Sequence, residues 1–291
     1  MAANISIASS ALSAEIAPHG AELQSLTDAQ GRALMTDADP AYWTGHAPIL
    51  FPIVGRVNGD RIRIDGREYE MPKHGFARRS HFDLVRSDAA SATFRLTDSD
   101  ATRRHYPFAF ALDIDFRIDG ATLALTATIR NPDGAPLPAS FGFHPAFAWP
   151  LPYGGAKEDH VVRFDRDEPG ALKAISPDGL IAAATRPSPV EGDTLRLNDA
   201  LFAHDALVWD HPASDRLRYG VPGKPGLAIA FPDTNRLGVW TKPGAHFLCV
   251  EPWGGIADPE GYDGDFRAKP GVFEVASGGE ATFHMKVALA A

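Results

Sequence analysis

A carboxylate closes one of the most apolar runs of this chain. In "FLCVEPWGGIAD" (247–258), Glu251 follows four apolar residues and precedes Pro252, Trp253, Gly254 and Gly255, with no basic residue beside it. Alternation with period two puts Phe247, Cys249 and Glu251 on one face and Leu248 and Val250 on the other. Both faces are apolar, so the segment reads as a central strand with Glu251 at its end. A carboxylate held there is partly desolvated, which raises its pKa. Such a glutamate can exchange protons near neutrality, as a general base must. The structural alternative is a glutamate that caps the backbone N–H groups of the Gly-Gly loop.

A second ionisable group of complementary type sits in "SFGFHPAFAWP" (140–150). Phe141 and Phe143 share one face; Gly142 and His144 share the other. Pro145 stops pairing, which places His144 at a strand end, and Gly142 leaves room beside the imidazole for a ligand or a close backbone. A lone histidine here reads equally as a hydrogen-bonded core residue. The presence of Glu251 shifts the balance, because an imidazole and a carboxylate together can donate and accept protons.

Further polar groups follow the same strand-then-turn pattern. Arg56 ends "PILFPIVGR", His74 and Arg78 lie in "KHGFAR", and Asp205 precedes the apolar run of "HDALVW". Arg and His donate well to hydroxyl and ring oxygens. The bland readings are an Arg56 paired with a surface acid, a His74 that caps a turn, and an Asp205 that serves as a turn or cap residue. Other chemistries lack their motifs. No G-x-S-x-G elbow, Walker loop or G-x-G-x-x-G is present. The histidines have no H-x-x-x-H or H-x-H spacing, so no metal is expected. Cys249 lies inside an apolar strand and reads as a small core residue.

The elements that must position these groups are strands. Short alternating runs separated by Gly, Pro, Asp and Asn dominate, the pattern of an all-β sandwich or barrel. "RIRIDGREYEM" (61–71) is a hairpin across Asp65-Gly66. Residues 110–131 form a second across Asp119-Gly120, and residues 272–289 a third around Gly278-Gly279. Strands follow in close order over 227–251, while 152–200 is the least regular part and reads as long loops. No linker or repeat divides the 291 residues, so one domain spanning 1–291 is expected. The net charge of −9 disfavours nucleic acid and anionic membranes as partners. The single cysteine allows no internal disulfide, and the first twenty residues lack the basic and apolar regions of a secretory signal. A soluble, cytoplasmic protein is expected.

Taken in order, "FPIVGR", "HGFAR", "FGFHPAF" and "VEPWGG" resemble the aldose 1-epimerase (galactose mutarotase) family across nearly the whole chain. The resemblance implies a large single-domain antiparallel β-sandwich, a supersandwich. It implies an isomerase that interconverts the α and β anomers of a monosaccharide with no cofactor and no metal, as a monomer or homodimer. By motif, Glu251 is similar to the family's base and His144 to its acid, standing on opposite sides of the sugar ring. Arg56, His74, Asp205 and Arg78 correspond to substrate-binding positions. The branch that acts on hexose 6-phosphates carries Arg-Gly-Gly before the "FP" stretch. Here "WTGHAPILFP" (43–52) has Thr44 and Gly45 with no arginine, which favours a free hexose such as galactose or glucose. A hexose-6-phosphate epimerase and a non-catalytic sugar binder are the alternatives.

Overall fold

The computed structural model describes residues 3–290. The protein is all-β, built on two large antiparallel sheets of nine and eight strands. The nine-stranded sheet has the long hairpin Ala111–Asp119 and Thr122–Arg130 near its middle, joined to the C-terminal strand Glu280–Ala290. The eight-stranded sheet is centred on Phe247–Gly254, which is flanked by Arg236–Trp240 on one side. Its other side is shared by two short strands, Phe141–Phe143 and Ala146–Ala148.

Period two decides which side chains fill the space between the sheets. Leu248, Val250, Phe141 and Phe143 point inward and join the main core. There Phe141 stacks on Phe283 of the other sheet, with ring centroids 5.1 Å apart. Phe247, Cys249, Glu251 and Trp253 point the other way. That outer face is covered by the 42–55 segment and by the hairpin Leu172–Ile175 and Ile181–Arg186. The site therefore forms on the outside of one sheet, under loops, and not between the layers.

The hairpin at Asp65-Gly66 forms as expected, with both residues at positive φ. The turn of the second hairpin falls one residue later than expected, at Gly120-Ala121, since Asp119 still pairs with Thr122. The third hairpin does not form. Phe273–Val275 pairs instead with Leu137–Ala139. Asn131 explains this: its side chain donates to Val275 O while its backbone exchanges hydrogen bonds with Gly278 and Gly279, which turns the segment away. Residues 152–200 are also more regular than expected, because they supply strands to both sheets. Among the described residues no helix is long and apolar enough to cross a membrane.

Candidate active site

Strand register brings the two ionisable groups face to face. Gly142 pairs with Trp253, and Ala146 pairs with Cys249. Counting inward from both pairs puts His144 opposite Glu251 and Pro145 opposite Val250, whose N–H donates to Pro145 O at 3.2 Å. The ladder is interrupted at His144 and Pro145 but keeps its register. His144 Nε2 lies 3.2 Å from Glu251 Oε2. Glu251 is not at a strand end, as the sequence suggested, but in the middle of Phe247–Gly254. Nor do the two groups face each other across a ring-sized gap; they touch.

Both are buried, Glu251 to 2% exposure and His144 to 7%. Burial pushes the Glu251 carboxyl well above the usual glutamate range, and Asp205 adds to the effect; Lys73, Trp253 and Arg78 act in the opposite sense. Burial, then the positive charge of Arg78, lowers His144 to about 3. The low-polarity site thus favours the uncharged form of each group. Passing one proton across the contact between them exchanges their acid and base roles without changing the proton count.

Three indoles hold this pair. Trp43 stacks on the His144 ring with centroids 5.0 Å apart and planes 28° from parallel, and Trp240 meets His144 edge-on at 6.1 Å. Gly45 makes room for Trp43: a Cβ at that position would stand 2.4 Å from its ring. Trp253 lies flat across two neighbouring strands, over Gly142 and Gly238, where added Cβ atoms would come within 2.6 and 2.5 Å of the indole. The space expected beside Gly142 is therefore filled by Trp253, not by a ligand.

His74 is fixed in one tautomer. Its Nδ1 accepts from the Gly55 N–H at 3.1 Å while its own N–H donates to Gly55 O at 2.7 Å. The ring proton must then sit on Nε2, as a donor. Burial, then the neighbouring His144, holds His74 well below the usual histidine range, so it is neutral. Its ring is 5.7 Å from that of His144.

A cavity of about 400 Å³ opens over this group, within the range of small-molecule sites. It brings together five of the six site residues read from the sequence: Glu251, His144, His74, Arg78 and Asp205. Arg56 is the exception. Its guanidinium turns away to form a two-pronged pair with Asp60, at 2.8 and 2.7 Å, and reaches Asp178 O at 3.3 Å. It stays half-exposed outside the cavity, bracing the turn of the 172–186 hairpin whose Ile175, Gly179 and Ile181 form one wall. Asp205 lies on an exposed loop at positive φ and caps its own neighbour, Ala206 N–H, at 2.7 Å.

The sequence reading missed Trp43, Trp240, Lys73 and Arg79, all of which line the cavity. The available signal was local: Lys73 precedes His74 and Arg79 follows Arg78. Lys73, Arg78 and Arg79 form no ion pair among the described residues, so three cationic side chains stand at one cavity with no protein carboxylate bound to them. Cys249 lies behind the His144–Glu251 pair, and its thiol is within 4.8 Å of ligand atoms of both.

The geometry has a consequence for pH dependence. A base must be deprotonated to act, and the Glu251 carboxyl holds its proton to higher pH than an ordinary glutamate. Turnover at low substrate should therefore fall as pH drops through a value above the usual ~4.3 of glutamate. A pH profile of kcat/KM checks this; an acid limb at the ordinary glutamate position would mean that burial does not tune Glu251.

Comparisons with known proteins identify the family and the fold. The family model for aldose 1-epimerase matches residues 4–260. The chain is 32% identical over 251 residues to the plasmid-borne protein LacX of Lactococcus lactis subsp. lactis, covering 82% of this chain and 83% of that protein. Among solved structures it resembles a galactose mutarotase-like protein from Lactobacillus casei, with TM-score 0.92, 28% identity and coverage of 99% and 100% of the two chains. It also resembles a galactose mutarotase related enzyme from Lactobacillus acidophilus, with TM-score 0.90, 28% identity and coverage of 99% and 97%.

Proposed function

Because this chain belongs to the aldose 1-epimerase family, we propose that it interconverts the α and β anomers of a hexose by acid–base ring opening and reclosure, a free sugar such as galactose or glucose being the simplest substrate. The observation that carries this reading is the Glu251–His144 contact of 3.2 Å at the base of a monosaccharide-sized cavity. Ring opening removes the proton from the C1 hydroxyl and adds one to the ring oxygen. Both oxygens are bonded to C1, so an acceptor and a donor that touch each other can address them from one side. With its own proton first passed to His144, Glu251 takes the hydroxyl proton and His144 protonates the ring oxygen. The C1–C2 bond then rotates, and the reverse transfers close the ring on either face of the aldehyde. The His74 Nε2–H supports charge on a sugar oxygen, Asp205 and Arg78 bind hydroxyls, and Trp43 and Trp253 offer flat walls to sugar C–H groups.

One observation favours a second reading. Lys73, Arg78 and Arg79 surround the cavity without carboxylate partners, as an anionic substituent on the substrate would require. Under that reading the substrate is a hexose phosphate, in spite of the missing arginine before the "FP" stretch.

Polarimetry separates these cases. Freshly dissolved α-D-galactose or α-D-glucose should approach its final rotation faster with the enzyme. The second reading predicts a KM for the 6-phosphate at least ~10-fold lower than for the free sugar, equivalent to about 1.4 kcal/mol. Binding of these sugars with no acceleration would overturn both readings and leave a carbohydrate-binding protein.

A further inference from the structure

We propose that His144, Cys249 and Glu251 together form an inhibitory binding site for a soft divalent cation such as Zn²⁺, which shuts the enzyme by occupying its acid–base pair. The catalytic reading makes no use of Cys249, yet strand register puts it on the same face as Glu251 and opposite Ala146, one alternation from His144. One imidazole nitrogen, one thiol sulfur and one carboxylate oxygen lie within 4.8 Å of one another. Zinc bonds of about 2.0–2.3 Å need such atoms roughly 3–4 Å apart, within reach of small side-chain rotations. All three residues are buried, Cys249 and Glu251 on one strand and His144 in the break between two short strands that pair with it, so the set is preformed.

The carboxylate is also available. Among the described residues, only His144 and the Trp253 indole approach the Glu251 carboxyl closely, although it is 2% exposed and lines the cavity. Three protein ligands leave a fourth position open toward that cavity, the pattern of an accessible zinc site, not a closed structural one. The charges balance: Cys249 and Glu251 each release one proton to solvent, thiolate and carboxylate cancel the two positive charges, and the imidazole coordinates as a neutral base. The sulfur ligand selects Zn²⁺ over Mg²⁺ or Ca²⁺. Once bound, the ion holds the lone pairs that would move protons, and it competes with the sugar for the same two side chains.

The test uses the full-length protein treated with EDTA and then titrated with ZnCl₂ in the polarimetric assay. Wild type should lose activity at micromolar Zn²⁺, competitively with sugar, and regain it with EDTA. Cys249→Ala should keep turnover within about 2-fold and need at least ~10²-fold more Zn²⁺ for the same inhibition, since a lost ligand costs more than a lost supporting contact. Cys249→Ser, of similar size, is the second variant if alanine impairs folding. Co²⁺ supplies a readout that needs no catalysis: wild type should show the near-ultraviolet thiolate-to-cobalt band, and Cys249→Ala should not. That band would stand even if the sugar assignment failed. Equal Zn²⁺ sensitivity in wild type and Cys249→Ala, or Co²⁺ binding without a thiolate band, would overturn the proposal.

Discussion

Glu251→Gln should slow anomer interconversion by ~10²–10⁴-fold and leave sugar affinity nearly unchanged. The amide keeps the shape and hydrogen-bonding reach of the side chain but cannot take the C1 hydroxyl proton. Folding should not suffer. A carboxyl whose pKa is raised by burial contributes its stability below the unfolded-state pKa and loses it as pH rises through the folded value. Near neutrality the glutamine avoids that loss, so thermal unfolding should occur no lower than in wild type. His144→Asn should also lower turnover, and the double variant should be little slower than the worse single one, because the pair acts as a unit. Near-normal turnover in Glu251→Gln would remove Glu251 from the mechanism.

Gly75→Ala should destabilise the fold far more than a glycine replacement of the same backbone type elsewhere. Gly75 sits at φ +73°, and an added Cβ would stand 2.1 Å from Phe51 O. The left-handed backbone alone costs about 1–2 kcal/mol for alanine. Displacing the Phe51 backbone adds about 1–3 kcal/mol, the usual cost of overpacking. The functional cost is as direct, since the preceding residue is His74, whose tautomer depends on two hydrogen bonds to Gly55. Gly66→Ala is the control: φ is +76° but nothing lies within 4 Å of the new Cβ. Urea denaturation of both variants isolates the clash, and equal losses of stability would refute it.

The placement of the site's side chains was legible where period two applied. Alternation along 247–251 and 141–144 groups Glu251 with Phe247 and Cys249 and His144 with Gly142, and the register of the structure keeps those groupings and puts them on one face of the sheet. What alternation could not give was the end of the strand. Pro252 reads as a stop because it lacks an N–H. Here that missing donor would point, like the Val250 N–H, toward the side where the partner ladder is already broken at His144 and Pro145, so the strand runs on to Gly254. The position of Arg56 outside the cavity was not legible because its motif says nothing of the acid four residues later; Asp60 captures its guanidinium. Gly142 reads as space for a ligand or a close backbone because the indole that fills it comes from more than 100 residues away. Trp43 and Trp240 escaped notice for the same reason: their contact with His144 exists only once three distant segments meet.

The shared register of the histidine and glutamate strands also constrains how such a gene can change length. Inserting or deleting one codon between positions 143 and 146, or between 249 and 253, would rotate half of a strand to its other face. His144 or Glu251 would then point into the packed interior, and the two could no longer exchange a proton. Substitution in these stretches is survivable in principle; a frame-preserving indel is not. The 172–186 hairpin over the cavity is under no such rule, since its turn at 177–179 pairs with neither the His144 nor the Glu251 segment. Relatives that differ in what the cavity holds are therefore expected to lengthen, shorten or recombine that hairpin while the segments carrying His144 and Glu251 keep their spacing residue for residue.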